Sequence, residues 1–545
     1  MPGTPELLYP TEVVVTDSLK IDALINARLF QLYAEGYLAA TYSKNTVQDN
    51  QVVDFYSGEI YRTVSISKGN MPDDLLSKSG FRQENFQDKP FSHERIVKII
   101  QAALDFTENH GYPFASIKLD SIRINGTSIS ARLNYQSGLP VVFDSLSIVG
   151  SDKVKANYLM AFLGIYKGKP YEEAVVTAIP KKIGLLQYLR LELPPEISVR
   201  NGKCTITLFV EDIKVNGIDA IIGLLPNEQA NSKTLITGQV DLDLQNLFGS
   251  GKQILFQWQR FNVESQMLKA GYAHPNLFRT PINFRMMLDL FKQDTTFLNR
   301  SFDFELSLLS KKSSFIGFQT KFYNSTLIST SGLDTPELLL ENADNKVSTY
   351  GLKYGIARFD DTIYPTLGWG GEAFFSAGQK KIVQNPAISD EYYQELTLNS
   401  IQYTMEGHLE KYWKLYKNCI LKSRAAVGYI HAGQLFDSDK YRLGGLSTIR
   451  GFAERSIFVT GFGILNLETR AILGKESYIM AFVDQALTDD ATNGNGIEYL
   501  FGTGAGISFN TDAGTFNFVF AMGKSEIQPF GFNYSKIHFG YISRF

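Results

Sequence analysis

Phe302-Asp303-Phe304-Glu305-Leu306-Ser307-Leu308 places a large apolar side chain at every second residue, with carboxylates and a hydroxyl between them. Successive side chains of a strand point to opposite faces, so this stretch has one oily face and one polar face. The pattern recurs. Val240, Leu242 and Leu244 alternate with Asp241, Asp243 and Gln245. Ile254, Phe256 and Trp258 alternate with Leu255, Gln257 and Gln259, and Phe516, Phe518 and Phe520 with Asn517, Val519 and Ala521. A soluble sandwich has the same period but rarely needs aromatic faces over so many strands. Carboxylates on one face and Phe or Leu on the other predict a wet lumen and a lipid-facing exterior, a transmembrane antiparallel β-barrel. The pattern fills the last 333 of 545 residues. At roughly 20 residues per strand plus turn, that length predicts about 16 strands.

Composition agrees. Phe 39 and Tyr 28 against Trp 3, with Gly 45, suit β-structure with tight turns. No apolar run approaches the roughly 18–20 residues of a membrane helix, which leaves a barrel as the way to span a bilayer. A formal net charge of −3 argues against nucleic acid as a partner. Cys204 and Cys419 are too far apart in sequence to suggest a disulfide framework, and there is no CxxC pattern. The six histidines form no HExxH pair, and no Gly-x-Ser-x-Gly elbow occurs. Gly502-x-Gly504-x-Gly506 opens no helix and reads as small residues in a curved strand. The chain is therefore expected to be no enzyme, with no cofactor and no metal. Its Met1-Pro2-Gly3 start has neither the basic nor the apolar segment of a leader, as expected of a chain numbered from a processed or engineered terminus.

Before residue 213, helical and strand patterns alternate. Helical spacing runs over 19–35 (Ile21, Leu24, Ile25, Leu29, Leu32) and over 92–109 (Ile96, Ile99, Ile100, Leu104). Two more candidate helices fall in 153–187, separated by Gly168-Lys169-Pro170. Gly36-Tyr37 and Gly111-Tyr112 each begin a Gly-Tyr-x-x-Ala junction between a helix and paired strands, with a weaker third copy near Gly184. A glycine there can end the helix in a left-handed conformation. The spacing of about 75 residues suits repeated small α+β domains.

One segment is sharper than the rest: Tyr441-Arg442-Leu443-Gly444-Gly445-Leu446-Ser447-Thr448-Ile449-Arg450-Gly451-Phe452. It resembles the barrel loop of the outer-membrane assembly superfamily, the BamA/TamA-like proteins with POTRA domains. In that family a long loop folds back into the lumen behind a Val/Ile-Arg-Gly-Phe/Tyr tip. Asn466 to Arg470 and Phe482-Val483-Asp484-Gln485-Ala486 resemble the strands that follow, with Ala486 where the family has glycine. Gly540, Tyr541 and the terminal Phe545 resemble the C-terminal insertion signal, with Ser543 interrupting its apolar face. Gly540 and Ser543 are expected to weaken the pairing of this last strand with the first.

The resemblance implies N-terminal α+β POTRA repeats followed by a barrel: 1–60 as a first POTRA, whether complete or truncated, 61–142 as the second, 143–212 as the third, and 213–545 as the barrel. Three repeats on a chain of this size resemble the TamA-like branch. Ile449, Arg450, Gly451 and Phe452, with Gly444 and Gly445, become the expected lumen-loop anchor. A guanidinium can bond a wall carboxylate bidentately without losing its charge. The resemblance makes Asp484 its first expected partner and Glu468 the second. The implied role is insertion or export of client proteins, through POTRA β-augmentation and a seam between the first barrel strand and the last. A two-partner polypeptide exporter and a barrel scaffold are the alternatives. The implied setting is the bacterial outer membrane with the POTRA domains in the periplasm. The implied partners are outer-membrane lipid, client outer-membrane proteins and periplasmic or lipoprotein accessory subunits.

Overall fold

The computed structural model describes residues 18–47, 50–225, 235–262, 264–310, 314–329, 341–361, 364–394, 396–474, 477–492, 496–511 and 513–544. The chain start and Phe545, both read above from sequence, lie outside them. The chain forms two compact units. One holds 1–147, 165–180 and 195–208; the other holds 148–164, 181–194 and 209–545.

Helix α1 (Ser18–Glu35) leads into a hairpin, β1 (Thr41–Val47) and β2 (Asn50–Tyr56). Gly36, at φ +102°, ends the helix as the sequence predicts: a Cβ there would lie 2.9 Å from the Tyr61 carbonyl oxygen. Ile25 and Leu32 are buried. Next come β3 (Thr63–Ser67), α2 (Asp73–Ser79), β4 (Lys89–Pro90), α3 (His93–Glu108), β5 (Ser116–Asn125) and β6 (Ser128–Gln136). Their sheet runs β4-β3-β6-β5, with β3 parallel to β6. Val64 and Ile66 of the sheet pack with Leu75, Phe86, Ala103 and Leu133. Ser92 caps α3 by accepting a bond from the Arg95 amide.

The order repeats in β7 (Val142–Val149), α4 (Ala156–Leu163), α5 (Glu173–Thr177), α6 (Ile179–Ile183), β8 (Leu189–Leu191), β9 (Glu196–Arg200) and β10 (Lys203–Asp212). The sheet runs β7-β10-β8, with β9 also on β10. Sequence spacing predicts two helices over 153–187; the structure has three. Pro180 brings no amide to the α5 ladder, so the chain restarts as α6. The seven-residue α2 has no counterpart in the sequence reading, being too short for a periodic signal.

The barrel then closes in sixteen antiparallel strands. They are β11 (Gly217–Leu225), β12 (Leu235–Leu247), β13 (Lys252–Arg260), β14 (Gln266–His274), β15 (Ile282–Gln293), β16 (Phe297–Leu309), β17 (Ser314–Leu327), β18 (Asn345–Phe359), β19 (Gly368–Ile382), β20 (Asn399–Tyr416) and β21 (Cys419–His431). A short ladder, β22 (Tyr441–Leu443) with β23 (Ile457–Val459), sits inside the next connection. Then come β24 (Gly461–Gly474), β25 (Ser477–Asp489), β26 (Ile497–Thr511), β27 (Gly514–Lys524) and β28 (Lys536–Arg544), and β28 pairs with β11. Closure removes the sheet edges. Phe302, Leu306, Phe318, Leu352, Leu409 and Phe518 are exposed on the outside, whereas Ser301, Thr349, Ser376, Glu468 and Asp484 are buried inside. An apolar exterior of this extent requires lipid rather than water. Among the described residues no helix is long and apolar enough to cross a membrane.

The wall is uneven. Among the described residues, from β27 round to β15, no ladder exceeds nine residue pairs: β27–β28 has seven, and β28–β11, β12–β13 and β13–β14 have eight each. The remaining ladders have 11 to 15.

Candidate functional site

The connection from β21 to β24 turns back on itself at the β22–β23 ladder and presents Leu446 to Phe452 as a tip. Glycine is required at its bends. Gly444 (φ +113°) would place a Cβ 2.0 Å from the Ala453 oxygen; Gly445 (φ +88°) would strike the Glu454 carboxylate. Gly451 (φ +96°) would bring a Cβ within 2.5 Å of the Met522–Gly523 backbone. Ile449 and Phe452 bury themselves with Leu443, Val459, Ile464, Ala486 and Leu500. That apolar cluster fixes the tip against the wall and orients Arg450.

Arg450 meets both expected carboxylates. Its Nε donates to Asp484 Oδ2 at 2.8 Å and its NH2 to Oδ1 at 2.7 Å, a bidentate pair, while its own amide donates to Oδ2 at 3.0 Å. NH1 donates to Glu468 Oε2 at 2.6 Å, and Arg470 Nε supplies Glu468 Oε1 at 2.7 Å. Asp484 is fully buried, and the guanidinium carbon lies 3.6 Å from the centre of the Phe482 ring. Two cations thus balance two carboxylates, and the hydrogen bonds offset the loss of water. Asn466 Nδ2 donates to the Thr448 carbonyl at 2.9 Å.

Further attachments lie beyond the reach of sequence reading. Lys380 of β19 forms a fully buried ion pair with Asp439 at the loop's root. Asn299 Nδ2 and the Tyr323 hydroxyl both donate to the Ser438 carbonyl, at 2.9 and 2.6 Å. Arg442 packs 3.8 Å from the centre of Phe291. Gln528, between β27 and β28, donates to the Gly451 carbonyl at 3.1 Å. Gly502 and Gly523 leave room for the tip: a Cβ on Gly502 would lie 2.1 Å from the Arg450 oxygen, and one on Gly523 2.6 Å from the Gly451 oxygen. Gly502 has a sequence signal, the run of small residues in β26; Gly523 has none. Wall and loop together enclose a polar cavity of about 560 Å³ lined by Asp303, Lys321, Lys353, Glu372, Glu406 and His408 among others.

At the seam, Gly540 stands opposite Ile221 and Asn517, Tyr541 opposite Ala220 and Phe516, and Ser543 opposite Ile218. The Tyr541 hydroxyl donates to the Ala513 carbonyl at 2.5 Å. A Cβ at Gly540 would meet only ordinary contacts, so that glycine is not sterically required. Among the described residues no group of three or more His, Cys, Asp or Glu is placed to hold a metal ion.

Comparison with solved structures finds the same fold in CdiB from Acinetobacter baumannii (TM-score 0.58, 11% identity) and CdiB from Escherichia coli (0.56, 13%). Each alignment covers 98% of this chain and 100% of the other. A BamA from Haemophilus ducreyi lacking POTRA domains 1–3 aligns with TM-score 0.48 and 13% identity over 88% of this chain and 100% of that one. No curated protein matches in sequence. The Omp85 superfamily domain matches residues 246–540, more than half of the chain, from the end of β12 into β28 with the inward loop, and the chain belongs to that superfamily.

Proposed function

We propose that this chain assembles client β-barrels into the bacterial outer membrane. Membership of the superfamily supports outer-membrane protein assembly or export in general; the following reading is narrower. Residues 61–142 and 143–212 act as periplasmic POTRA domains, with 1–60 contributing a first, shorter one. Strand β5 forms one end of its sheet and offers backbone groups on which an extended client segment can pair. The Arg450 cluster keeps the loop in the lumen, and the client's strands add at the seam between β11 and β28. Accessory subunits are expected at the POTRA edges.

The observation that carries this reading is the low wall. Opening β28 from β11 breaks a ladder of eight pairs, where β18–β19 would break fifteen. Short ladders cost less to open, and a low wall thins the bilayer beside it. Helix α1 belongs to the first compact unit and buries Ile25 and Leu32, which favours a POTRA helix over a lumen plug of the two-partner kind.

The test is reconstitution of the full chain in phosphatidylcholine vesicles with a urea-unfolded outer-membrane barrel as client. Folding, followed by heat-dependent gel mobility and protease protection, should run faster than in empty vesicles. Passage of an extended, non-barrel polypeptide into the vesicles without faster barrel folding would establish export instead. Neither activity would leave a scaffold.

A further inference from the structure

The connection between β27 and β28, residues 525–535, has two faces. On its inner side Gln528 Nε2 donates to the Gly451 carbonyl of the lumen loop and to the Gly523 carbonyl, both at 3.1 Å. Ser525 Oγ accepts the Ile527 and Gln528 amides at 3.1 and 3.0 Å, and the Ser525 amide donates to the Gln528 carbonyl at 2.9 Å. This half is a tight turn fixed to the loop tip.

The other half folds outward. Phe532 lies 6.1 Å from Phe520, and Phe530 lies 6.4 Å from Phe501, between ring centres. Phe520 shares the outer face of β27 with the exposed Phe518, and Phe501 that of β26 with the exposed Tyr499 and Ile497. Yet the two loop rings are not covered: Phe532 is 76% exposed and Phe530 49%, and Ile527, in the turn that precedes them, is 90% exposed. Glu526, Asn533 and Ser535 intersperse these apolar residues. Rings mixed with polar groups, continuous with a lipid-facing wall, match the boundary between acyl chains and headgroups.

We infer that residues 527–532 form a lipid-contacting arm beside the seam, inserted in the interfacial layer of the bilayer and held from inside by Gln528. The arm leads directly into β28, so the lipid-facing rings, the lumen-loop tip and the seam strand are joined by one short connection. This goes beyond the assembly reading and depends only on the barrel spanning a bilayer.

The test attaches a nitroxide to the cysteine introduced by Phe532→Cys, in the full chain carrying Cys419→Ser and Cys204→Ala, reconstituted in phosphatidylcholine vesicles. A second label, introduced through Ile527→Cys, repeats the reading where the side chain makes little packing contact. Power saturation should show oxygen reaching both labels several-fold better than a water-soluble nickel chelate, as at a Phe518→Cys control on the outer wall. Better access for nickel would place the arm in water and overturn the inference. So would dipolar broadening lost on dilution with unlabelled protein, which would assign the surface to a second copy. Adding Gln528→Ala should narrow the line of the Phe532→Cys label while the heat-dependent gel shift is retained. An unchanged line would overturn the role given to Gln528.

Discussion

Arg450→Ala is the sharpest perturbation the lumen loop offers. It removes the bidentate pair with Asp484, the bond to Glu468 and the ring contact with Phe482. Asp484 then remains fully buried with the residue-450 amide as its partner among the described residues. Breaking a buried pair from one side costs about 3–5 kcal/mol, a rise of roughly 100- to 4,000-fold in the released loop at about 1.4 kcal/mol per factor of ten. Asp484→Ala is milder, because Arg450 keeps Glu468, and about 2 kcal/mol is expected from the lost charge-assisted bonds. The double variant should be less damaging than Arg450→Ala alone, since it removes the orphaned carboxylate and leaves Arg470 with Glu468. Chymotrypsin cleavage at Phe452 reports the released loop without depending on the mutated site, under conditions where opening is fast relative to cleavage. Equal, additive effects of the two single changes would refute this: the side chains would then contribute independently.

Gly502→Ala should dislodge the same tip by overpacking, at a cost of about 1–3 kcal/mol, because its Cβ would sit 2.1 Å from the Arg450 oxygen; unchanged cleavage at Phe452 would mean that the tip does not press on β26. Gly251→Ala should destabilise the β12–β13 turn, since its Cβ would lie 2.1 Å from the Tyr158 hydroxyl and its φ is +67°. Tyr158→Ala should partly rescue its thermal stability, and no rescue would deny the contact. Burial pushes the Cys204 thiol up to about 11, so the folded state holds its proton where the unfolded one begins to lose it, near 8.5. Its contribution to stability is therefore full below about pH 8.5 and lost as pH rises toward 11. At about pH 8, just below that unfolded value, a maleimide should label Cys204 only after unfolding, and native labelling at the unfolded rate would contradict the burial.

The barrel is legible in the sequence because its two faces have opposite solvents, so alternation survives through whole strands such as Phe302 to Leu308. The tip is legible because Ile449 to Phe452 are contiguous. The loop's other attachments are not. Lys380 and Asp439 are 59 residues apart and meet between β19 and the root of the loop, and Gln528 reaches Gly451 over 77; no local period encodes such pairs. Gly502 reads as relief in a curved strand, whereas its missing side chain makes space for a neighbouring backbone. Asp484 and Glu468, expected as first and second partner, are both engaged, because a guanidinium has donors enough for two carboxylates. Gly540 and Ser543 suggest weak pairing; β28 is paired along both sides, and its ladders belong to the short ones that run from β27 round to β15.

The central claim is that clients enter at that seam. Ile218→Cys with Ser543→Cys places a disulfide between residues paired across β11 and β28. In the reconstituted vesicles the oxidised protein should keep its heat-dependent gel shift yet lose its acceleration of client folding, and reduction should restore it. Full acceleration by the cross-linked protein would contradict the account and move the function to the lumen or the N-terminal domains.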